Sequence, residues 1–514
     1  MAPPPSATHS MNSESHTSTH QRSELSKMTN LPPSLEQALS HLDQQFWISC
    51  PKLKEIVHRF REELEQGLAR DGQNIPMNIS WVHALPSGRE KGTILTLDLG
   101  GTNLRVCKVT LLGDSDEQQG SDTQKSVLEQ EQYKLPASLK TGSAENLWTF
   151  IAKKVAAFIK SRGLDKQYNM QKRMPLGFTF SYPATQHRID HAILQTWTKG
   201  FDIQGVEGQD VAAQLREKLA EKELPVQLIC VINDTVGAMV ASAYNDPDTI
   251  VGAIFGTGCN AAYLAHVSSI GKLDPNDERI TAASAHNGAS KGEEMMAVNC
   301  EYGAFDNAHR VLPRTPYDER IDAESPRPGE QTFEKLSAGL YLGEIFRLVL
   351  VDLVDKGLVL QAQSEDDGLK KLYTAYTIDT SFLSQIEDDQ SPLFADTREL
   401  FAKTLALEPS DVDLEVSRRI AEMVAVRGAR LCACGIAAIC GKEGIEGGNV
   451  AADGSVANKH PKFKKRWARA LGEVLDWEDG DGEKGPIRIT SAEDGSGVGC
   501  AIIAAMELER RGEM

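Results

Sequence analysis

Behind Pro51, the apolar residues Leu53, Ile56, Val57, Phe60, Leu64 and Leu68 recur at spacings of three and four, which predicts an amphipathic helix. A second helix of this kind is expected from about residue 147 to 159. From residue 94 onward strand-like runs alternate with helical ones, the mark of an α/β chain rather than segregated layers. One arrangement occurs twice. The apolar run 94–98 ends in Gly100-Gly101-Thr102-Asn103 and is followed by a second strand at 104–112. The run 251–255 ends in Gly256-Thr257-Gly258 and is followed by a strand-like run at 260–267. Between the two, Leu228-Ile229-Cys230-Val231-Ile232 reads as a buried strand that stops at Asn233-Asp234, after which Thr235-Val236-Gly237-Ala238 opens a helix.

The remaining polar segments read as solvent-facing. Residues 1–30 carry Pro3, Pro4 and Pro5, many Ser and Thr, and almost no large apolar side chain, so a disordered tail is expected there. The polar stretch 113–130 and the acidic, glycine-rich stretch 476–483 are expected to be solvated loops, and the sequon at Asn78 is a chance match.

Length and charge narrow the function classes. With 514 residues the chain can build two large lobes. Lys and Arg number 55 against 73 Asp and Glu, a net charge of −18, which disfavours nucleic acid and anionic membranes and leaves small molecules as the easier partners. No unbroken apolar run reaches membrane-spanning length. The nine cysteines are odd in number, scattered, and without a C-x-x-C, so reduced thiols acting as small hydrophobes are expected, Cys432 and Cys434 included, and no zinc site. Arg22 is the sole arginine of the first 30 residues, which argues against a transit peptide and leaves the cytoplasm as the expected location.

The two glycine turns carry the candidate chemistry. A hairpin turn of small residues exposes backbone N–H groups to a phosphate, and Thr102, Asn103 and Thr257 add side-chain donors. Asp98 could orient a magnesium ion through water, and Arg105 could neutralise phosphate charge. Neither turn is a Walker A or a dinucleotide fingerprint, because a strand follows each. Either alone is equally an ordinary tight hairpin. Asp234 is open to two readings, a helix N-cap or the base that takes a proton from a phosphoryl acceptor.

Further segments resolve that choice. Leu97-Asp98-Leu99-Gly100-Gly101-Thr102-Asn103, Leu176-Gly177-Phe178-Thr179-Phe180-Ser181-Tyr182-Pro183, Thr198-Lys199-Gly200-Phe201, Ile232-Asn233-Asp234-Thr235, Asn299-Cys300-Glu301-Tyr302-Gly303-Ala304-Phe305 and Glu493-Asp494-Gly495-Ser496-Gly497 resemble the successive signatures of eukaryotic hexokinases and glucokinases. They stand in the family's order over about residues 95–500, and Cys300-Glu301-Tyr302 with Ser325-Pro326-Arg327-Pro328-Gly329 resembles the fungal type. The resemblance implies the two-lobed actin-like ATPase (sugar kinase) fold with a duplicated ribonuclease-H-like core. Residues 31–91 and 233–496 would form a large lobe, and 92–232 with 497–514 a small one.

By the same resemblance the chain would phosphorylate glucose or another hexose at the 6-hydroxyl, with ATP and Mg2+ and with Asp234 as general base. Sugar contacts would come from Ser181, Thr198, Lys199, Asn233, Asp234, Asn260, Glu301 and Glu334. Phosphates would meet Gly100, Gly101, Thr102, Asn103 and Arg105, then Thr257 and Gly258, with Thr235 nearby and Asp98 acting on magnesium through water. The adenosine would lie near Gly339, Thr380, Ser455 and Ser496. Two departures stand out: Ser381 where animal relatives often carry Lys, and a polar stretch at 272–291 expected to be a surface insertion. The alternative is a catalytically silent glucose sensor of the same fold, for which a retained base has no use. No nucleic-acid or membrane partner is expected, and the chain would act as a monomer or homodimer.

Overall fold

The computed structural model describes residues 31–113, 125–198, 200–274, 276–286, 293–361, 367–477, 484–492 and 494–513. The expected tail at 1–30 and most of the acidic stretch 476–483 lie outside them. The helix predicted behind Pro51 is Cys50–Ala69, with Leu53, Ile56, Phe60, Leu64 and Leu68 all buried. The second predicted helix is Ala144–Ser161, capped at its N-terminus by the Ser143 side chain.

Thirteen strands are named in chain order among the described residues: β1 (Asn78–Ile79), β2 (Gly92–Leu99), β3 (Asn103–Leu111), β4 (Ser126–Lys134), β5 (Met174–Phe180), β6 (Ala184–Thr185) and β7 (Ile193–Leu194). They continue with β8 (Val226–Ile232), β9 (Thr249–Phe255), β10 (Cys259–His266), β11 (Met295–Asn299), β12 (Gly448–Asp453) and β13 (Ile487–Ser491). A five-stranded sheet has the order β4-β3-β2-β5-β8, and a six-stranded sheet the order β1-β11-β10-β9-β12-β13.

The twofold echo of the sequence is a twofold topology. In the first sheet β4, β3 and β2 are antiparallel neighbours, while β2, β5 and β8 are parallel. In the second, β11, β10 and β9 are antiparallel, while β9, β12 and β13 are parallel. Both sheets thus order their strands three-two-one-four-five, the second with β1 added at its edge, which is the duplicated core of the sugar-kinase fold. Parallel strands need crossovers, and the intervening helices cover the sheet faces.

One expectation changes and another gains detail. Residues 126–130 of the polar stretch belong to β4, an edge strand with half-buried and exposed positions mixed along it. An edge strand buries little, so its composition resembles that of a loop, and its pairing with β3 makes it a strand. Within the stretch 272–291, residues Glu278–His286 form a helix whose Ile280 and Ala283 are buried. That part is a helix docked on the body through these two side chains and still a surface element, with Glu278, Arg279, Thr281 and Ala282 exposed. The helix Asp411–Glu443 holds an 18-residue window apolar enough to span a bilayer, which a search for unbroken runs passes over; 89% of it is buried inside the protein, so it is a core helix. Of the nine free cysteines only Cys50 is partly exposed.

Candidate active site

Six parallel strands deliver the site at their C-terminal ends, where open α/β sheets hold their ligands. From the first sheet β2 leads into Gly100, β5 into Ser181 and β8 into Asn233 and Asp234. From the second, β9 leads into Gly256, β12 into Gly454 and Ser455, and β13 toward Asp494.

A cage of amides and carboxylates forms one part. The Nδ2 groups of Asn260 and Asn299 donate to Glu301 Oε1 at 3.3 and 2.8 Å, and Asn233 Nδ2 donates to the same oxygen at 3.4 Å. Asn260 Oδ1 accepts from the Glu301 backbone N–H at 2.9 Å. Glu301 sits in the left-handed region at φ 56°, as does Gln331 at φ 55°, three residues before Glu334. Such conformations cost about 1–3 kcal/mol each outside glycine and persist where the surroundings enforce them, which is common at ligand clamps. Glu334 Oε2 accepts from the Cys259 N–H at 3.2 Å, so the hairpin that carries the second turn also holds a carboxylate of the cage.

Asp234 is the first residue of the helix Asp234–Asn245, and Asn233 is its cap, accepting from the Thr235 N–H at 2.9 Å. Asp234 Oδ1 accepts from that N–H too, at 2.9 Å, which orients the carboxylate while leaving it partly exposed. The N-cap reading therefore belongs to its neighbour.

The two turns have different surroundings. At the first, Gly100 N–H donates to Asn103 O at 3.1 Å, and Thr102 is exposed. A cleft of about 590 Å³ opens there, lined by Gly100, Gly101, Thr102, Asn103, Asp98 and Arg105 together with Asp453 and Asp494. At the second, Gly256 N–H donates to Gly258 O at 3.0 Å. Gly339 N–H bonds Gly256 O at 2.7 Å, Thr380 Oγ1 donates to Gly339 O at 2.6 Å, and a side chain on Gly256 would meet Gly454 and Ser455. Gly339, Thr380 and Ser455, expected about the adenosine, are thus gathered behind Thr257 and Gly258.

Burial raises the Asp98 pKa; Arg105 beside it opposes the rise and the Asp234 charge adds to it. Asp453 is raised in the same way, by burial and by the Asp234 and Asp494 charges. No cluster of three metal-ligating side chains exists among the described residues.

Three residues of the expected nucleotide set are bonded within the protein. All five N–H donors of Arg105 are used within the protein: Nε to Asp98 at 2.9 Å, Nη1 to Asp494 at 2.8 Å and Gln130 at 3.3 Å, and Nη2 to Asp494 and Ser496, both at 2.8 Å. It braces the first turn through these bonds. Thr235 is fully buried, its hydroxyl bonded to Asn233 and accepting from Asn260 at 3.0 Å, so it supports the cage. Ser496, expected at the adenosine, stands with Arg105 beside the first turn.

Ser181 is buried after β5, and Thr198 is half-buried behind the buried Trp197. Lys199 lies outside the described residues. Sequence reasoning left Asn299, Asp453 and Asp494 without a role, although Asn299 and Asp494 lie inside quoted motifs. A polar amide ending an apolar strand was the available signal for Asn299.

Two family models described as hexokinase match residues 38–244 and 250–506. A hexokinase of Emericella nidulans is 48% identical over 485 residues, covering 94% of this chain and 93% of that one. Hexokinase-1 of Saccharomyces cerevisiae is 45% identical over 488 residues, covering 95% of both. Among solved structures, the hexokinase from Schistosoma mansoni complexed with glucose superposes with a TM-score of 0.77 at 32% identity, covering 92% of this chain and 99% of that one. The duplicated sheets, the twin glycine turns and this likeness along nearly the whole chain together establish that the chain belongs to the hexokinase family.

Proposed function

We propose that the chain transfers the γ-phosphoryl group of ATP to the 6-hydroxyl of glucose. The observation that carries the reading is Asp234, an oriented carboxylate next to Asn233 of the cage with Asn260, Glu301 and Glu334, and near enough to Asp98 and Asp453 of the cleft for its charge to raise both. The cage suits a neutral polyol, since carboxylates accept from hydroxyls and amides both donate and accept. Asp234 takes the hydroxyl proton as the oxygen attacks phosphorus. Thr198 holds the sugar from the other side, Lys199 is assigned to it by the family resemblance alone, and the amides of the two turns receive the charge that develops on the phosphoryl oxygens.

A magnesium ion fits the acidic cleft. With no three-ligand cluster among the described residues, a cation that keeps its waters and binds through substrate phosphates suits it better than a fully protein-bound one, and Asp98 would hold it through water. When bound, the ion would neutralise phosphate charge. Closing the cleft excludes water, which would otherwise take the phosphoryl group. The net charge of −18 supports small-molecule partners over nucleic acid or an anionic membrane; a cytoplasmic monomer or homodimer is part of the same proposal.

The test is ADP formation with and without glucose. Glucose-dependent ADP release with glucose 6-phosphate as product is expected. Glucose binding without any ADP release would establish the silent sensor instead. Sugars lacking a contacted hydroxyl leave a buried carboxylate or amide unpaired and should lose about ten- to a hundredfold in kcat/KM; equal turnover of all monodeoxy glucoses would remove the cage from the reading.

A further inference from the structure

The segment Ser325-Pro326-Arg327-Pro328-Gly329 has no role in the reaction as derived above, yet it reaches across the molecule. Arg327 Nη2 donates to Thr196 Oγ1 at 2.6 Å and to the Trp197 carbonyl at 3.2 Å. That carbonyl belongs to the peptide unit whose nitrogen is Thr198's. Trp197 is packed with Phe180, Tyr182 and Phe201 in the core on one face of the five-stranded sheet, and its indole N–H donates to Ile203 O at 3.1 Å. Arg327 comes from the opposite side, where Phe333 and Leu336 of the helix Thr332–Ser337 are buried in the core about the six-stranded sheet.

The root of Arg327 is fixed as firmly as its tip. Lys335 Nζ donates to the Arg327 carbonyl at 2.8 Å and to Asp322 Oδ1 at 2.6 Å, and Lys335 is buried. Asp322 also accepts from Gly329 N–H at 3.0 and 3.1 Å, which closes the loop on itself. Prolines on both sides of Arg327 restrict its backbone further. Lys335 directly follows Glu334 in the helix, so one short path runs from a carboxylate of the cage through Lys335 to Arg327, and on to the peptide in front of Thr198.

We propose that Arg327 is a positioning residue for the sugar: it clasps the Thr198 loop to the Glu334 helix across the cleft, so that both halves of the sugar site hold one geometry without Arg327 touching the sugar. This rests on the phosphotransfer reading for its kinetic readout but not for its binding readout. The Arg327 side chain is 43% exposed and belongs to no core, so its removal does not leave a cavity.

In Arg327→Ala, glucose KM and the calorimetric glucose Kd should both rise about five- to thirtyfold, with ATP KM unchanged and the melting temperature within about two degrees, because charged hydrogen bonds that orient a loop are lost while packing is kept. Arg327→Lys retains one donor direction and should recover part of the affinity. Thr196→Val removes one of the two acceptors and also the Thr196 hydroxyl bond to Glu207 at 3.2 Å, so its smaller rise should shrink in the Arg327→Ala background to the part that Glu207 accounts for. Unchanged glucose affinity in Arg327→Ala overturns the clasp, as does a rise of glucose and ATP KM together with a fall in melting temperature. Should the unaltered chain bind glucose but release no ADP, the phosphotransfer reading fails, and the calorimetric Kd still decides on Arg327.

Discussion

The first and second glycine turns begin from the same local plan, a strand, a tight turn and an antiparallel return strand, and end in different company. The first is braced by charge: Arg105 ties Asp98 to Asp494 and Ser496. The second is braced by backbone, through Gly339 N–H on Gly256 O at 2.7 Å and Leu340 N–H on Thr257 O at 3.3 Å. One layer further back, the buried Glu387 accepts from His460 at 3.2 Å and from Arg466, joining the helix that starts at Thr380 to the residues after Ser455. The second hairpin also reaches the sugar cage through Cys259 and Asn260. A duplicated topology therefore supplies two glycine turns in different surroundings: the open turn faces the acidic cleft, while the braced turn adjoins the cage through Cys259 and Asn260.

The largest effect is expected at Asp234, whose charge reaches Asp98 beside the first turn and Asp453. Asp234→Ala should lower kcat by about 10²–10⁴-fold with ATP KM little changed. A variant that keeps near-normal turnover in a steady-state assay would show that the turns do not serve a common proton transfer.

Removing the brace behind the second turn comes next. Burial alone would raise the Glu387 pKa, but Arg466 and the hydrogen bonds from His460 and Arg466 outweigh it and hold it at about 2. A carboxylate depressed in the folded state contributes stability above its unfolded pKa of about 4.5, and that contribution is lost as pH falls toward 2. Glu387→Gln should therefore cost about 3 kcal/mol at neutral pH, with the gap to the unaltered chain closing between about pH 4.5 and 2. A gap independent of pH in urea titrations would assign the loss to packing alone.

Smaller differences separate the turns directly. A Cβ on Gly339 would lie 2.7 Å from Gly256 O and 2.9 Å from Val456 Cγ2, so Gly339→Ala should destabilise by about 1–3 kcal/mol. At Gly100 the same atom meets only Asn103 O, at 3.8 Å, and Gly100→Ala should change stability by less than about 1 kcal/mol. Equal melting shifts in the two variants would erase the contrast. Gly258→Ala brings a methyl to 2.8 Å from Glu334 Oε2, the end of a flexible side chain, so a threefold to tenfold rise in glucose KM (~1 kcal/mol) is expected with little loss of stability. A rise confined to ATP KM would separate this turn from the sugar cage.

Much of this was legible along the chain, because short-range pattern determines local structure. The helix Cys50–Ala69, the strands β2, β3, β8, β9 and β10, and the recurrence of strand and glycine turn all follow from spacing and from small residues at the turns. The family signatures named Asp234 and Glu301, the wider resemblance added Asn260 and Glu334, and the structure sets Asn260 with Glu301, Glu334 against the second hairpin, and Asp234 at the head of its helix beside Asn233. The edge strand β4 was missed because it buries too little to imprint a pattern, and the helix Glu278–His286 because, among its described side chains, only Ile280 and Ala283 mark a buried face. What the sequence could not decide is where side chains spend their hydrogen bonds. The chain alone does not show that Arg105 bonds Asp494, 389 residues away, or that Asn260 donates to the buried Thr235 hydroxyl. Arg327 looks like a loop residue until its guanidinium reaches Trp197, 130 residues earlier in the chain. Such partners are set by tertiary proximity, and proximity between distant segments leaves no periodicity in a single chain to read.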